Sequence, residues 1–403
     1  MVTNTYLPHV GGVANSVAVF KKDLKKLGHH LLIIAPEYKA DNETHKDEED
    51  VLRLPAIQNF NGSDFSVRLP VPFAVDQKIN EFQPDIIHSH HPYLLGDTAL
   101  RIATQYRLPL IFTHHTLYEH YAHYVVGSDL MKQFVIHLST EYANLCDHVV
   151  APSESVKQLI KERGVTSAIT EIPTGVDSAA FREGNGQAYR RQYEIMEDTL
   201  VIGHVGRLAP EKNIGYLGEA VARFMTGTPS AVFLCVGSGP AEDELKQHFR
   251  ENNLTDRLVM PGKQTGGALV DAYHAMDAFV FSSHSETQGM VLTEAMAAGK
   301  PVIALDASGA REVVRDHYNG RLLPSNASTK AFSDALAAFK DSPQAAEQWS
   351  ANALETAARF DRKPCAQKLN DVYQAARQTN KARANATPGD NSALDEIVRR
   401  IKA

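Results

Sequence analysis

The feature that most constrains this chain is an alternation of short β-rich runs with stretches of helical periodicity. Between residues 31 and 172, such runs recur at Leu31–Ala35, Ile86–His88, Leu110–Thr113, Val149–Ala151 and Ile169–Ile172. Short apolar runs are typical of strands buried on both faces, and long helical connections are typical of parallel pairing. The first half of the chain is therefore predicted to form a parallel sheet covered by helices.

The same alternation restarts after a polar stretch at residues 184–198. Further strands are predicted at Val201–Val205, Ala231–Val236, Leu258–Met260, Ala278–Ser282, Val302–Ala304 and Gly320–Leu323. From about residue 327 onward the pattern is helical only. We therefore predict an α/β fold of two doubly wound domains with C-terminal helices, divided as 1–177, 178–360 and a last segment 361–403, in which a helix packs towards the first domain and a flexible tail follows.

The N-terminal residues and the number of cysteines indicate the cellular compartment. Met1–Thr5 is short for a first strand, and we expect the natural start to lie a few residues upstream. The sequence has 3 cysteines, too few for a disulfide framework, and lacks both a signal peptide and an apolar run of about 18 residues. These features predict a cytoplasmic protein.

The charge balance limits the class of partner. The sequence has 41 Lys+Arg against 48 Asp+Glu, a formal net charge of −7. Nucleic-acid binding usually requires a basic excess, so no nucleic-acid partner is predicted. The composition makes no prediction of oligomeric state.

Candidate phosphate-binding residues follow several predicted strands. Gly11 and Gly12 precede the first helix, where backbone amides at the helix start can approach a phosphate or a sugar oxygen. Arg207 and Lys212 follow the strand at 201–205 and suit a diphosphate, although two surface cations beside a turn are an equally good interpretation. Gly237 begins an incomplete GxGxxG pattern, and neither a dinucleotide fingerprint nor a P-loop is present.

The most informative segment runs from Ser283 to Gly299. Glu286 lies in a loop, Gly289 opens a helix, and Glu294 follows about one turn into that helix. The amides of Met290 and Val291 would be free to meet an anion at the helix start. From this spacing, Glu294 is predicted to accept two ribose hydroxyls, and Glu286 to contact sugar hydroxyls.

These segments together resemble a known family. Glu286 to Glu294 is similar to the E-x7-E motif of retaining, nucleotide-sugar-dependent glycosyltransferases of the GT-B fold, family four. The resemblance spans about residues 2 to 375 and includes, in family order, Gly11-Gly12, Ile172 to Asp177, Gly206-Arg207, Glu211-Lys212 and Gly237 to Pro240. It implies two Rossmann-like domains and transfer of a hexose, with UDP-glucose as the first choice of donor.

The resemblance also implies roles for individual residues. Arg207 and Lys212 would neutralise the donor diphosphate, Glu294 would hold the ribose, Glu286 the transferred sugar, and Lys263 would flank the base. His115, in the segment Thr113 to Thr116, would lie at the donor sugar or orient the acceptor, and His114 would be structural. Such enzymes typically need no metal or other cofactor, and no D-x-D motif is present here.

Two alternatives from other classes stay open. His88 and His90 would place both rings on one face of a strand, as in metal-dependent hydrolases that begin with an HxH pair. That interpretation leaves the glycine and cation segments of the second domain without a role. A catalytically silent nucleotide-sugar-binding protein is the other alternative, and the presence of Glu286, Glu294, Arg207 and Lys212 argues against it.

The acceptor is predicted from an aromatic segment. Residues 116–126 carry Tyr118, Tyr121 and Tyr124, which form either a loop packed on the next helix or an amphipathic lip at a lipid surface. The second interpretation is most similar to bacterial diacylglycerol glucosyltransferases, with peripheral binding to the inner face of the membrane. Basic residues at Lys21, Lys22, Lys25 and Lys26 and at residues 399–402 would assist, or would form only solvated faces. A sugar phosphate or a polysaccharide is the alternative acceptor.

Overall fold

The computed structural model describes residues 1–9, 11–38, 49–57, 67–68, 72–117 and 129–385. The chain divides into two compact units, one formed by Met1–Thr174 together with the residues from Lys363 onward, and one formed by Gly175–Arg362. The predicted boundaries at 177/178 and 360/361 lie within three residues of these divisions. Among the described residues, the structure has no helix with the length and apolar character needed to span a bilayer.

Two groups of parallel strands form the sheet of the first unit. The strands are β1 (Ile33–Pro36), β2 (Val51–Leu54), β5 (Ile87–Ser89), β6 (Leu110–Thr113), β7 (His148–Ala151) and β8 (Ile169–Glu171), with a short antiparallel pair formed by β3 (Ala56–Ile57) and β4 (Val67–Arg68). The helices are α1 (Gly12–Lys26), α2 (Pro72–Phe82), α3 (Leu95–Tyr106), α4 (Asp129–Asn144) and α5 (Glu154–Glu162). All residues of β1 and β6 are buried, as expected for strands covered on both faces.

The prediction of a first strand at Met1–Thr5 is wrong in extent. Only Val2 pairs, forming single parallel bridges to Ile34 on one side and Ser89 on the other. Val2 thus lies between β1 and β5 and connects the pair β1–β2 to the strands β5–β6–β7–β8. Strand β2 and the β3–β4 pair were not predicted, because their runs are too short to show a period.

The second unit contains one six-stranded parallel sheet. Its strands are β9 (Leu200–Val205), β10 (Ala231–Val236), β11 (Leu258–Gly262), β12 (Ala278–Phe281), β13 (Val302–Leu305) and β14 (Gly320–Leu323), in the order β11-β10-β9-β12-β13-β14. In chain order this is the 3-2-1-4-5-6 arrangement of a doubly wound Rossmann sheet. Strands β9 and β12 are therefore neighbours at the point where the winding reverses.

Helices cover both faces of this sheet. They are α6 (Ser178–Arg182), α7 (Gly186–Gln192), α8 (Ile214–Thr226), α9 (Glu242–Glu251), α10 (Gly266–Ala275), α11 (Met290–Ala297), α12 (Ser308–Arg311), α13 (Thr329–Lys340) and α14 (Pro343–Ala358). One hydrophobic core contains Leu217, Phe249 and Phe332, and the other contains Tyr273, Phe279 and Met296. The two cores hold the central strands rigidly, so the loops that follow them have fixed starting points.

The polar stretch at residues 184–198, which shows no period in the sequence, and the residues just before it contain two helices of the second unit that were not predicted. Helices α6 and α7 lie there, and α7 packs on α10. A Cβ at Gly184 would lie 2.4 Å from Cδ2 of His274, and one at Gly186 would lie 2.4 Å from the carbonyl oxygen of His274. The two glycines permit this close packing, which polarity and lack of period in the sequence do not reveal.

The chain returns from the second unit through a short parallel contact. Val176 donates its backbone N–H to the carbonyl of Phe360, and Arg362 donates its N–H to the carbonyl of Val176. The side chain of Arg362 also pairs with Asp177 at 2.9 Å. Gly175 has no room for a side chain, because its Cβ would lie 2.4 Å from the Cα of Arg362.

A last helix, α15 (Arg362–Asn385), completes the first unit. Cys365, Leu369, Val372 and Tyr373 are buried in one cluster with Phe20, Leu24, Ile111, Val150 and Ile172. The sequence predicts a helix at Pro364–Thr379 and a flexible segment from Asn380, and the structure extends the helix to Asn385. The remaining tail, with its basic residues at 399–402, lies outside the described residues.

Leu369→Ala is expected to destabilise the first unit by roughly 2–5 kcal/mol, because it removes a side chain that is 1% exposed from a packed core. Hydrogen exchange measured by mass spectrometry should show faster exchange in peptides from β6 and β7, and unchanged exchange in peptides from β9 to β14. Lys368→Ala, one residue earlier on the exposed face, is the matched control. Equal effects of the two changes would contradict the packing of α15 described here.

Candidate functional site

The loops that follow β9 and β12 are joined by hydrogen bonds at the point where the winding of the sheet reverses. Ser282 donates its hydroxyl to the carbonyls of Lys212 and Asn213, and Asn213 donates its side-chain N–H to the carbonyl of Ser282. Ser283 and Ser285 both donate hydroxyls to the carbonyl of Glu211. Ligands of doubly wound sheets bind beyond the carboxyl ends of strands at this position. The two loops are therefore the first place to look for a functional site.

An ion pair joins the same two loops. Lys212 Nζ donates to Glu286 Oε2 at 3.0 Å, and both side chains are largely buried. Burial alone would raise the pKa of Glu286, but the charge and hydrogen bond of Lys212, together with backbone N–H groups of Gly289 and Gln288, hold it below its ordinary value. Glu286 is therefore a fixed carboxylate at neutral pH.

The loop that carries Glu286 is positioned by close backbone contacts. Gly289 has φ +76°, the left-handed region that favours glycine, and lies directly before α11. Gly309 donates its N–H to the carbonyl of Glu286 at 2.9 Å, and a Cβ at Gly309 would lie 2.7 Å from Cγ of Glu286. Met290 and Val291 are the first residues of α11, where backbone N–H groups lack partners within the helix. An anion can therefore approach this helix start beside Glu286.

Glu294, one turn into α11, has a different environment. Tyr273 is fully buried and donates its hydroxyl to Glu294 Oε2 at 2.8 Å. Burial raises the pKa of Glu294 to about 7, and the hydrogen bond from Tyr273 opposes part of that rise. The two carboxylates of the segment thus differ in protonation near neutral pH.

The other predicted donor-binding residues of the second unit lie on neighbouring loops. Arg207 is exposed, and its Nη1 lies 3.5 Å from Oε1 of Glu211. Gly237 follows β10 with φ +142°, and a Cβ there would lie 1.8 Å from the carbonyl oxygen of Gly206. Lys263 is exposed directly after β11. All three follow the carboxyl ends of the strands in this half of the sheet.

In the first unit, Gly11 and Gly12 lie at the start of α1. Gly11 caps the helix and Gly12 is its first residue, and a Cβ at Gly12 would meet no heavy atom within 4 Å. His115 lies just after β6, half-buried, with Nε2 2.8 Å from Nδ1 of His90. His114 is buried against Phe112 on the other side of the strand. His114 and His115 thus lie on opposite sides of the chain, as predicted from the alternation of side chains along a strand.

The metal interpretation of the histidines finds no ligand set among the described residues. His88 and His90 do stack on one face, with ring centroids 4.2 Å apart. However, both ring nitrogens of His88 share hydrogen bonds with hydroxyls, those of Tyr373 at 2.6 Å and Thr113 at 2.7 Å. In the described part of the chain, no group of three or more His, Cys, Asp or Glu side chains could hold a metal ion.

The basic cluster predicted on α1 needs a correction. Lys21 is buried and pairs with Asp50 at 2.7 Å, and Lys25 also contacts Asp50. The four lysines therefore do not share one exposed face, because Lys21 turns towards the body of the unit. The aromatic segment is described only as far as Leu117, so Tyr118, Tyr121 and Tyr124 lie outside the described residues.

Three residues of the site were not predicted from the sequence. Tyr273 reaches Glu294 from α10, Gly309 packs under Glu286 from α12, and Asn213 joins the two loops. Asn213 directly follows Lys212 and has φ +58°, so a search of the loop after β9 would have found it. Tyr273 and Gly309 belong to helices distant in the chain, and no local pattern marks them.

Comparison with known proteins decides the family. A family model described as "Glycosyl transferases group 1" matches residues 185–356, and one described as "Glycosyltransferase Family 4" matches residues 10–180. The chain belongs to the group 1 glycosyltransferases. As a glycosyltransferase, it transfers a sugar. The "Glycosyltransferase Family 4" model covers most of the first unit.

Named relatives of this glycosyltransferase differ in donor and acceptor. It is 29% identical over 336 residues to the alpha-monoglucosyldiacylglycerol synthase of Streptococcus pneumoniae, covering 80% of this chain and 74% of that protein. It is 28% identical over 352 residues to a GDP-mannose-dependent alpha-mannosyltransferase of Corynebacterium glutamicum, covering 87% and 79%.

The solved structures agree on the fold. The glycosyltransferase resembles the crystal structure of HepE from Anabaena in complex with UDP, with a TM-score of 0.73, 20% identity, and coverage of 93% of this chain and 98% of that one. At this identity the likeness establishes the GT-B fold, and the predicted fold class is confirmed.

Glu294→Gln is expected to change how the stability of the second unit depends on pH. The folded state holds the Glu294 proton up to about pH 7, whereas the unfolded state releases it near its ordinary value of 4.5, so wild-type stability falls as pH rises between these values. Glutamine does not titrate and can still accept the Tyr273 hydroxyl. As the pH rises from about 5 to about 8, the free energy of unfolding of the variant should therefore increase by about 2 kcal/mol relative to that of wild type.

Urea unfolding followed by fluorescence measures this change, because the one tryptophan, Trp349, lies in the second unit. Glu355→Gln, at an exposed position on α14, is the control. A stability difference between Glu294→Gln and wild type that stays constant with pH would contradict the raised pKa.

Proposed function

We propose that this protein transfers a hexose, glucose in the first instance, from a UDP-sugar to a hydroxyl of diacylglycerol at a membrane surface, with retention of the anomeric configuration and without a metal ion. The observation that carries the donor part is the joining of Lys212 to Glu286 at the reversal point of the sheet, beside the start of α11. This arrangement combines a cation, helix amides and a fixed carboxylate, which suit a diphosphate next to a sugar.

The proposed roles on the donor follow from charge. Arg207 is exposed and offers its planar guanidinium to diphosphate oxygens, while Lys212 adds a point charge held in place by Glu286. The amides of Met290 and Val291 would add partial positive charge at the helix start. Together they would stabilise the negative charge that develops on the leaving diphosphate, and this electrostatic stabilisation requires no metal ion.

The two carboxylates would hold the rest of the donor. Glu294 accepts the Tyr273 hydroxyl through Oε2 and would use its remaining capacity for the ribose hydroxyls. Glu286 would accept hydroxyls of the transferred sugar. Lys263, after β11, would flank the base. Gly237 places no side chain against the carbonyl oxygen of Gly206, in the loop after β9. In the first unit, the amides at Gly11 and Gly12 would approach a phosphate or a sugar oxygen, and His115 would have the role that the family resemblance implies.

Retention is proposed to occur by attack on the same face from which the diphosphate leaves. In that reaction the acceptor oxygen forms the new bond to the anomeric carbon, the bond to the diphosphate breaks, and a phosphate oxygen takes the acceptor proton. Glu286 is a poor choice for a covalent nucleophile, because Lys212 and two backbone N–H groups stabilise its charge and lower its pKa, while the carboxylate can still accept one further hydrogen bond. This supports its assignment as a sugar-binding group.

The lipid acceptor is supported by one relative's name and by the aromatic content of residues 116–126. The Streptococcus pneumoniae relative is named a monoglucosyldiacylglycerol synthase, and the Corynebacterium glutamicum relative a GDP-mannose-dependent mannosyltransferase. The first name agrees with transfer of glucose to a lipid acceptor, and the second makes GDP-mannose the alternative donor. We place the protein in the cytoplasm, in peripheral contact with the inner face of the membrane.

Calorimetric titration with UDP, GDP and ADP, each with and without EDTA, tests the donor proposal. UDP is expected to bind most tightly, with an affinity that EDTA leaves unchanged. Arg207→Ala should weaken UDP binding by tenfold to about 100-fold, because a charge-assisted hydrogen bond is worth roughly 1.5–3 kcal/mol. Arg223→Ala, an exposed arginine on α8, is the matched control. Binding that is lost with EDTA, or that Arg207→Ala leaves intact, would refute the proposed site.

Incubation with UDP-glucose and vesicles of phosphatidylglycerol, with and without diacylglycerol, tests the acceptor. Mass spectrometry should detect glucosyldiacylglycerol only when diacylglycerol is present, and the protein should sediment with the vesicles. Parallel reactions with GDP-mannose and with soluble sugar phosphates identify the alternatives. A product formed on a sugar phosphate, with no lipid product, would replace the lipid acceptor and retain the transferase chemistry.

A further inference from the structure

Three histidine rings stack at the carboxyl ends of β5 and β6 in the first unit. The centroids of His88 and His90 are 4.2 Å apart, and those of His90 and His115 are 5.1 Å apart, with interplanar angles of 30° and 25°. The role proposed above uses only His115. The other two are among the most deeply buried polar groups of the unit, at 2% and 0% exposure.

The first ring of the stack is fixed on both sides. His88 Nδ1 shares a hydrogen bond with the hydroxyl of Tyr373 at 2.6 Å, and His88 Nε2 shares one with the hydroxyl of Thr113 at 2.7 Å. Since both hydroxyls can donate or accept, His88 is satisfied in either tautomer. It therefore serves as a rigid surface against which His90 packs.

The second ring has one bonded and one unbonded nitrogen. His90 Nδ1 lies 2.8 Å from Nε2 of His115, while His90 Nε2 is buried and has no hydrogen-bond partner among the described residues. A hydrogen bond between two neutral imidazoles needs the proton on one nitrogen and a lone pair on the other. Burial lowers the pKa of His90 and of His115, to about 3 for His115, so both rings are neutral at pH 7.

Two arrangements satisfy this bond, and they differ at the buried His90 Nε2. If His115 donates, the proton of His90 lies on Nε2 and becomes a buried N–H without a partner, which is the costly case. If His90 donates through Nδ1, its Nε2 is left as an unpaired lone pair, which folded proteins tolerate more readily. Burial therefore favours donation from His90 to His115.

We propose that His90 is a positioning residue that fixes the tautomer of His115. His90 Nδ1–H donates to His115 Nε2, and the single proton of neutral His115 is consequently held on Nδ1. The Nε2 lone pair of His115 is then not available to accept a proton from substrate.

This assignment has a consequence for the reaction, and that consequence rests on the proposed function. A neutral His115 with its proton on Nδ1 and its Nε2 bonded to His90 has no nitrogen lone pair left to accept a proton. It would not serve as the general base, which agrees with the transfer of the acceptor proton to a phosphate oxygen. The tautomer itself is a property of the free protein and does not depend on which sugar is transferred.

NMR of the full chain labelled with ¹⁵N-histidine measures the tautomer directly, because protonated and unprotonated ring nitrogens have well-separated shifts. His115 is expected to show a protonated Nδ1 and an unprotonated Nε2. His90→Phe should remove this preference, whereas His90→Asn, whose amide N–H replaces Nδ1–H, should restore it. His137→Asn, an exposed position on α4, is the control and should leave the His115 signals unchanged.

Kinetics of the same variants separate a positioning role from a structural one. His90→Phe should lower kcat by about tenfold or more with little change in KM for the nucleotide sugar, and His90→Asn should recover most of the loss. A protonated His115 Nε2 in the wild type, or an unchanged tautomer in His90→Phe, would overturn the proposal, as would a changed tautomer with full activity. If no sugar is transferred to any acceptor, the proposed function fails, and the spectrum still decides the tautomer.

Discussion

The ion pair between Lys212 and Glu286 is the contact on which the arrangement of the candidate donor site depends. It joins the loop after β9 to the loop after β12, and hydrogen bonds from Ser282, Ser283 and Ser285 reinforce the same junction. Because both charged groups are largely withdrawn from water, neither is well solvated without the other. The pair holds a cation and a carboxylate in fixed positions before any ligand arrives, which lowers the cost of ordering the site on binding.

The strand order of the second unit brings these two loops together, and glycines allow their backbones to approach closely. Strands β9 and β12 are adjacent only because the winding reverses between them, so the loops after them share one crevice. At Gly237 and Gly309 a Cβ would collide with Gly206 and with the loop of Glu286, respectively. The backbone itself thus forms much of the surface that a phosphate would meet, which suits recognition by N–H groups and by the start of α11.

The candidate site residues of the two units differ in protonation. In the second unit, Glu286 is kept ionised by its partners while Glu294, eight residues later, has its pKa raised to about 7 by burial. In the first unit, burial keeps the histidine stack neutral, so His115 presents a neutral ring and no charge. The candidate donor site therefore holds a fixed charge pair, whereas the histidine stack of the first unit is neutral.

Sequence by itself determined the parallel α/β class, most strands of both sheets, and the candidate residues from Arg207 to Glu294, because period and loop chemistry are local properties. Strand β2, the two helices after Asp177, and the extent of α15 depended on packing between distant segments and were missed or wrong. The contacts of Glu294 with Tyr273, of Glu286 with Gly309 and of His115 with His90 were decided by tertiary structure alone. Protonation follows burial and partners, and neither is defined until the chain has folded.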